Sequence, residues 1–163
     1  MNEEVLRQFS RLSAEAAFHD TLTHLSTEGL VPWDETVIDR LVAPEYVHHS
    51  PLGDLDREAY KAFFEALHST LAAFNMVRVQ LVLEGGFAAA RTVVSGTFVH
   101  SFPGPTFTIP PTNKPIELQI VNLFYFNADA QIVEEWAQFD YLGFLTQLGV
   151  QVSLRSLNAL PQC

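Results

Sequence analysis

Cysteine is nearly missing from this sequence: among 163 residues the only one is the last, Cys163. An intrachain disulfide is therefore impossible, and no cysteine cluster exists to grip zinc. A reducing, cytoplasmic setting is the expectation. Positive charge is scarce as well. Nine Lys and Arg stand against nineteen Asp and Glu, a formal net charge of −10. That is the wrong sign for holding a phosphate backbone, so no nucleic-acid partner is expected, and an anionic membrane surface is disfavoured for the same reason. No apolar run nears the ~20 residues that span a bilayer. The opening Met1-Asn2-Glu3-Glu4-Val5 carries neither the basic nor the apolar region of a secretory signal. A Walker loop, a dinucleotide fingerprint and a serine or cysteine nucleophile elbow are also missing. Nothing in the sequence supports nucleotide, covalent or metal chemistry.

What the chain does have is bulk. Apolar residues make up 48% and charged ones 17%, a balance too apolar for a disordered segment. Thirteen Phe supply a core or the walls of an apolar cavity. The length of 163 residues suits one domain spanning the whole chain.

The apolar period changes along the sequence. Leu6, Phe9, Leu12, Ala16, Leu22 and Leu25 recur at helical spacing until Gly29 and Pro32 end the pattern. Asp34 then caps a short helix carrying Val37, Ile38 and Leu41, stopped before Pro44. Tyr46-Val47-His48-His49 reads as a short strand closed by Pro51 and Gly53. A stronger helix follows, with Asp56 as cap, Glu58 in its first turn and a stripe of Tyr60, Phe63, Phe64, Leu67, Leu71 and Phe74. After Asn75 the period becomes two. Val77, Val79, Leu81 and Leu83 lead to a Gly85-Gly86 hairpin and a long strand from Phe87 to His100. Pro103, Gly104, Pro105, Pro110 and Pro111 mark a loop. Strands from Pro115 to Phe126 and from Gln131 to Phe139 follow, then a helix from Tyr141 to Leu148 with Gly149 as its C′ residue. Helices first and a strand meander second is the α+β order, and such a bent sheet on helices leaves a mouth where pockets form.

Candidate chemistry concentrates in Ile132-Val133-Glu134-Glu135-Trp136-Ala137-Gln138-Phe139-Asp140. Residues two apart on a strand share a face. Glu134, Trp136, Gln138 and Asp140 thus point one way, and Val133, Glu135, Ala137 and Phe139 the other. The first set mixes acids, an amide and an indole, as a cavity wall would, and is read as the inward one. Asp140 either caps the next helix or faces the cavity as an acid–base group, and the two roles are compatible. Glu134 serves either buried polar groups or a substrate, and Trp136 is a wall residue. His48 and His49 face opposite sides, so at most one looks inward as a proton shuttle or donor. His100 is placed at a cavity rim beside the proline-rich loop. Arg91, the only basic residue of its strand, either makes a cross-strand pair or holds a carboxylate. His19, His24 and His68 read as surface residues.

Together these residues resemble the SnoaL-like polyketide cyclase or ester cyclase group of the NTF2-like superfamily. The resemblance runs from about Trp33 to Gly149. It rests on Leu41-Val42-Ala43-Pro44-Glu45-Tyr46-Val47 with His49 and Pro51, the stripe from Tyr60 to Phe74, Ser95-Gly96-Thr97, and Pro110-Pro111-Thr112-Asn113-Lys114. It continues through Ile132-Val133-Glu134-Glu135-Trp136, and its most specific piece is Asp140-Tyr141-Leu142-Gly143-Phe144-Leu145-Thr146-Gln147-Leu148-Gly149. One departure is Phe98 after Gly96-Thr97, where the family often has His; His100 shares its face two residues on. The tail from Val150 to Cys163 lies beyond the resemblance.

The resemblance implies a cone-shaped α+β barrel, its strongly bent and mostly antiparallel sheet packed on N-terminal helices around an apolar pocket. Trp136, Phe98, Phe124 and Phe126, or their strand neighbours, are the expected lining. It also implies that Asp140 acts as general acid and base in an intramolecular aldol closure or an isomerisation, with no cofactor and no metal. The expected substrate is a small apolar or aromatic carbonyl compound. His49 would stabilise the enolate oxygen, with Arg91 and His100 as further candidates and Glu134 as a substrate contact. The alternative is a non-catalytic module that binds a hydrophobic ligand or another protein. A homodimer through the outer sheet face is expected, with Val121, Leu123 and Phe139 on that face.

Overall fold

The computed structural model describes residues 3–103 and 108–151. Gly104 and Pro105 of the proline-rich loop, the tail from Val152 to Cys163, and the side chains of Leu6 and Phe9 lie outside the described residues. Helix α1 (Glu3–His24) carries Glu3 and Glu4 at its positive end and runs into a π-helical turn, Leu25–Leu30, that buries Leu25, Ser26, Gly29 and Leu30. Helix α2 (Glu35–Leu41) is capped as expected, the Asp34 carboxylate accepting from the Thr36 amide at 2.9 Å. Strand β1 (Val42–Ser50) begins directly at its end and is longer than the four residues expected. It folds back on β2 (Gly53–Asp56), a strand hidden in the sequence among turn residues.

Helix α3 (Arg57–Thr70) is capped by Asp56, which accepts from the Ala59 amide at 2.8 Å. It buries Tyr60, Phe64 and Leu67. The last two members of the expected stripe leave the helix: Leu71 already pairs with Phe98 in the sheet, and Phe74 is buried on the same strand. A long ladder outcompetes one further helical turn there. Strands β3 (Leu71–Glu84) and β4 (Phe87–Phe98) form the expected hairpin, with Gly85 at φ 60° in the turn. A two-residue ladder, β5 (Phe102–Pro103) with β6 (Thr108–Ile109), precedes β7 (Pro115–Phe126) and β8 (Ile132–Phe139). Helix α4 (Tyr141–Gln147) closes the described chain.

The strand order is β2-β1-β8-β7-β4-β3. After β1 and β2 the chain crosses on α3 to the far edge and returns strand by strand, all antiparallel, until β8 lies parallel to β1. Helix α3 touches both β1 and β3, which are separated by three strands in the sheet. The sheet must therefore curl around it. The fold is the expected NTF2-like α+β cone, with the sheet curled but not closed, since β2 and β3 remain its two edges. Leu22, Leu25, Ile38, Phe64, Val94, Phe98 and Phe124 join helices and concave sheet face in one core.

Candidate active site

Alternation along β8 is as expected, but its sense is reversed. Glu135, Ala137 and Phe139 line the cavity between sheet and helices, whereas Trp136 is 42% exposed on the convex side. The mixed set of Glu134, Trp136 and Gln138 is a wet outer face, not a cavity wall. Glu135, by contrast, is 4% exposed. The reason is local: a polar outer face needs no partners, while the concave face accepts an acid only where neighbouring strands supply donors.

Those donors come from a polar belt across five strands. On the concave face five strands contribute polar side chains among apolar ones: Arg78 of β3, Thr92 of β4, Asn122 of β7, Glu135 of β8, and His48 with Ser50 of β1, all on the cavity wall. Register places Arg78 opposite Thr92 and His48 opposite Glu135. The Thr92 hydroxyl donates to Asn122 Oδ1 at 2.8 Å, and Asn122 Nδ2 donates to Glu135 Oε1 at 2.7 Å. The Tyr46 hydroxyl donates to Glu135 Oε2 at 2.7 Å. Around the belt the lining is Leu25, Leu30, Phe63, Phe64, Leu118 and Phe144 among others. The cavity measures about 80 Å³, room for more than one water.

The belt sets the tautomer of His48. Its Nδ1 lies 3.5 Å from Glu135 Oε2 and 3.4 Å from the Tyr46 oxygen. The Tyr46 proton is engaged at Glu135, so both oxygens accept from a proton on Nδ1. That leaves the lone pair on Nε2, to which no described residue hydrogen-bonds. Burial pushes the Glu135 carboxyl up, but the hydrogen bonds it accepts from His48, Tyr46 and Asn122 hold it below its ordinary value. Burial pushes the Tyr46 and Tyr60 phenols well up, so both stay neutral. Burial also lowers the Arg78 pKa, against the pull of Glu135 and Tyr60. An oriented imidazole with a free nitrogen at an apolar cavity can take and return a proton.

Of the expected site residues, only Phe124 lines this cavity. His49 faces the convex side, opposite Trp136 in register, and stacks on it at 4.1 Å between ring centres. Its Nδ1 meets Asp54 at 2.8 Å and its Nε2 lies 3.5 Å from Glu134, while the indole N–H donates to Glu134 at 2.7 Å. His49, Trp136 and Glu134 are thus brought together, on the side away from the cavity. Arg91 also lies on the outer face, bonded to Gln80 and Gln119, in the cross-strand role weighed for it, with amides in place of an acid. Phe98 is fully buried in the core, and Phe126 stacks on Phe18 at 4.4 Å. His100 is exposed, its Nδ1 2.9 Å from the Ser69 carbonyl oxygen. Asp140 is exposed and caps α4 by accepting from the Gly143 amide at 2.8 Å. Phe139, expected on the outer face, lines the cavity.

His48, Glu135, Asn122, Thr92 and Arg78 were missed as a set, although Thr92, Asn122 and Glu135 each left a trace: a single polar residue in the apolar register of its strand. Among the described residues no group of three or more His, Cys, Asp or Glu is arranged to hold a metal ion, and no helix is long and apolar enough to cross a membrane.

Comparison with known proteins points one way. A sequence model of the SnoaL-like polyketide cyclase family matches residues 21–148. IdmH from Streptomyces antibioticus, assigned provisionally as a polyketide cyclase, is 28% identical with a TM-score of 0.67, covering 82% of this chain and 99% of its own. TsrD from Streptomyces laurentii is 24% identical with a TM-score of 0.71, covering 83% and 97%. A provisionally assigned SnoaL-like polyketide cyclase from Jannaschia sp. CCS1 is 21% identical with a TM-score of 0.73, covering 85% and 96%. No curated protein matches the chain.

Proposed function

The chain belongs to the SnoaL-like polyketide cyclase family, and from that premise and the cavity's geometry we propose a cofactor-free cyclase or isomerase of small apolar carbonyl compounds, with His48 as the proton carrier. The observation that carries this reading is the His48 ring on the cavity wall, its Nδ1 turned to Glu135 and Tyr46 and its Nε2 free. Nε2 takes a proton from the carbon beside a carbonyl, and the electron pair moves onto the carbonyl oxygen as an enolate. In a cyclisation the enolate carbon then bonds to a second carbonyl carbon of the same molecule, whose oxygen takes the proton back from His48. In an isomerisation the proton returns to another carbon. Glu135 is the positioning residue, and the apolar lining keeps water from the enolate.

A screen of polyketide-like and terpenoid carbonyl compounds, read by mass spectrometry, tests the proposal. Product must form with the wild type, and His48→Gln must lose about 10²–10⁴-fold in turnover, the usual reach of a general base. The resemblance instead puts the acid at Asp140. Loss of turnover in Asp140→Asn with His48→Gln unaffected would move the chemistry there and sink the His48 assignment. One observation favours binding without chemistry: Asp140 is exposed and engaged as a cap. Ligand binding without product across the screen would establish that reading.

A homodimer and a cytoplasmic setting complete the proposal. The convex face exposes Val82 at 65%, Val121 at 53% and Tyr125 at 39%, apolar side chains that a second copy would cover. Light scattering at micromolar concentration should give twice the chain mass, and a monomer would refute the pairing.

A further inference from the structure

One member of the belt has no task in the proton transfer. Arg78 lines the cavity, yet among the described residues it forms no ion pair. Its Nη1 donates to the Leu22 carbonyl at 2.7 Å and to the Ser26 hydroxyl at 3.0 Å, which ties β3 to the start of the π-helical turn. No described residue bonds to Nη2, and Nε is buried without a partner. The cation lies 5.5 Å from the centre of the Phe124 ring. A guanidinium sunk in an apolar wall is costly unless something negative meets it. Glu135, the other charge on this wall, already has the Asn122, Tyr46 and His48 groups on its oxygens.

We infer that Arg78 is a carboxylate subsite, so that the substrate is an apolar carbonyl compound bearing a carboxylate, held by Arg78 at one end of the belt while its reacting carbon reaches His48 at the other. Strand order supports the separation: β3 and β1 have β4, β7 and β8 between them, about 19 Å along the sheet at ~4.8 Å per strand, and less across its curl. A planar guanidinium offers paired donors that suit a carboxylate and give orientation as well as attraction. The acid group would fix which carbon of a long substrate meets the imidazole. The whole chain, Arg78 included, carries a net charge of −10, so an anion finds little else to attract it. This inference rests on the cavity being the substrate site.

The test uses 2-naphthoate and the neutral isostere 2-naphthamide, titrated calorimetrically into the whole protein at pH 7.5. The wild type should bind the acid about tenfold more tightly than the amide, the order expected of a charge-assisted contact. Arg78→Met should abolish the preference by weakening the acid alone, and Arg78→Lys should keep part of it. His48→Gln should leave it intact, so a failure of the carboxylate subsite is distinguishable from a failure of the proton-carrier reading. Arg78 also ties β3 to the π-turn; if Arg78→Met is not obtained folded, the wild-type comparison decides by itself. Equal affinities in the wild type, tighter binding of the amide, or no binding of either compound overturns the inference.

Discussion

The two faces of the β1–β8 pair carry nearly the same chemistry one residue out of step. Inside stand His48, Glu135 and Tyr46; outside stand His49, Glu134 and Trp136. What differs is how each histidine is occupied. His49 has a carboxylate near each ring nitrogen, Asp54 at 2.8 Å and Glu134 at 3.5 Å, and an indole against its face. It is fully used in holding β2, β1 and β8 together. His48 has its partners on Nδ1 only, on the wall of a largely apolar cavity. Residue type does not separate the two histidines here; the free nitrogen and the place on the cavity wall do.

The largest contrast should appear in turnover. His48→Gln is expected to cost about 10²–10⁴-fold and His49→Gln no more than about twofold, measured on whichever carbonyl compound the wild type converts. Parity between the two variants would erase the distinction. Stability should separate the acids next. Glu135→Ala strips the Tyr46 hydroxyl and the Asn122 amide of their buried acceptor, at ~1–3 kcal/mol for each unsatisfied group. A loss of about 3 kcal/mol in urea unfolding is expected, against less than about 1 kcal/mol for Glu134→Ala on its half-open face. Glu135→Gln, if it folds, should lower kcat and leave KM unchanged, as befits a group that only orients His48.

Acid should sharpen the same difference. The Glu135 pKa is lowered in the folded chain, so its contribution is fully present above the ordinary carboxylate pKa and is lost as pH falls below it through the folded value. Acid unfolding of Glu135→Gln should therefore be flatter than that of the wild type in the window below the ordinary glutamate value. An unchanged slope would mean that the carboxyl is not held ionised. Smaller still is the effect expected for Asp140→Ala, about 1 kcal/mol for a lost helix cap, read from thermal melting. Last comes Val121→Thr on the convex face, which should shift stability by no more than about 0.5 kcal/mol.

Local rules reached far along this chain. The caps at Asp34, Asp56 and Asp140, the Gly85-Gly86 hairpin and the two-residue period of β7 and β8 are all decided by neighbours in sequence, and all are where they were expected. The fold was legible for the same reason, since the resemblance draws on residues spread over most of the chain. The site was not. Alternation fixes that Glu134 and Glu135 part ways but not which of them turns inward, because that depends on strands far off in the sequence. The parallel pairing of β1 with β8 gives no short-range sign at all. A better guide was present in Ala90-Thr92-Val94, Ile120-Asn122-Phe124 and Val133-Glu135-Ala137: one polar residue inside each apolar register marks a buried belt more reliably than a polar face beside an aromatic ring.

The pairing of β1 with β8 also imposes an order in time. Tyr46 and Glu135, joined by a hydrogen bond, lie 89 residues apart, and β8 is the last strand to be added to the sheet. While the chain is being synthesised, β1 has β2 on one flank and nothing on the other. His48 meanwhile has no acid to fix its proton. Contacts of such sequence separation form late because a long loop must close before they bring any gain. A chain ending before β8 thus has the imidazole of His48 but lacks the carboxylate that orients it.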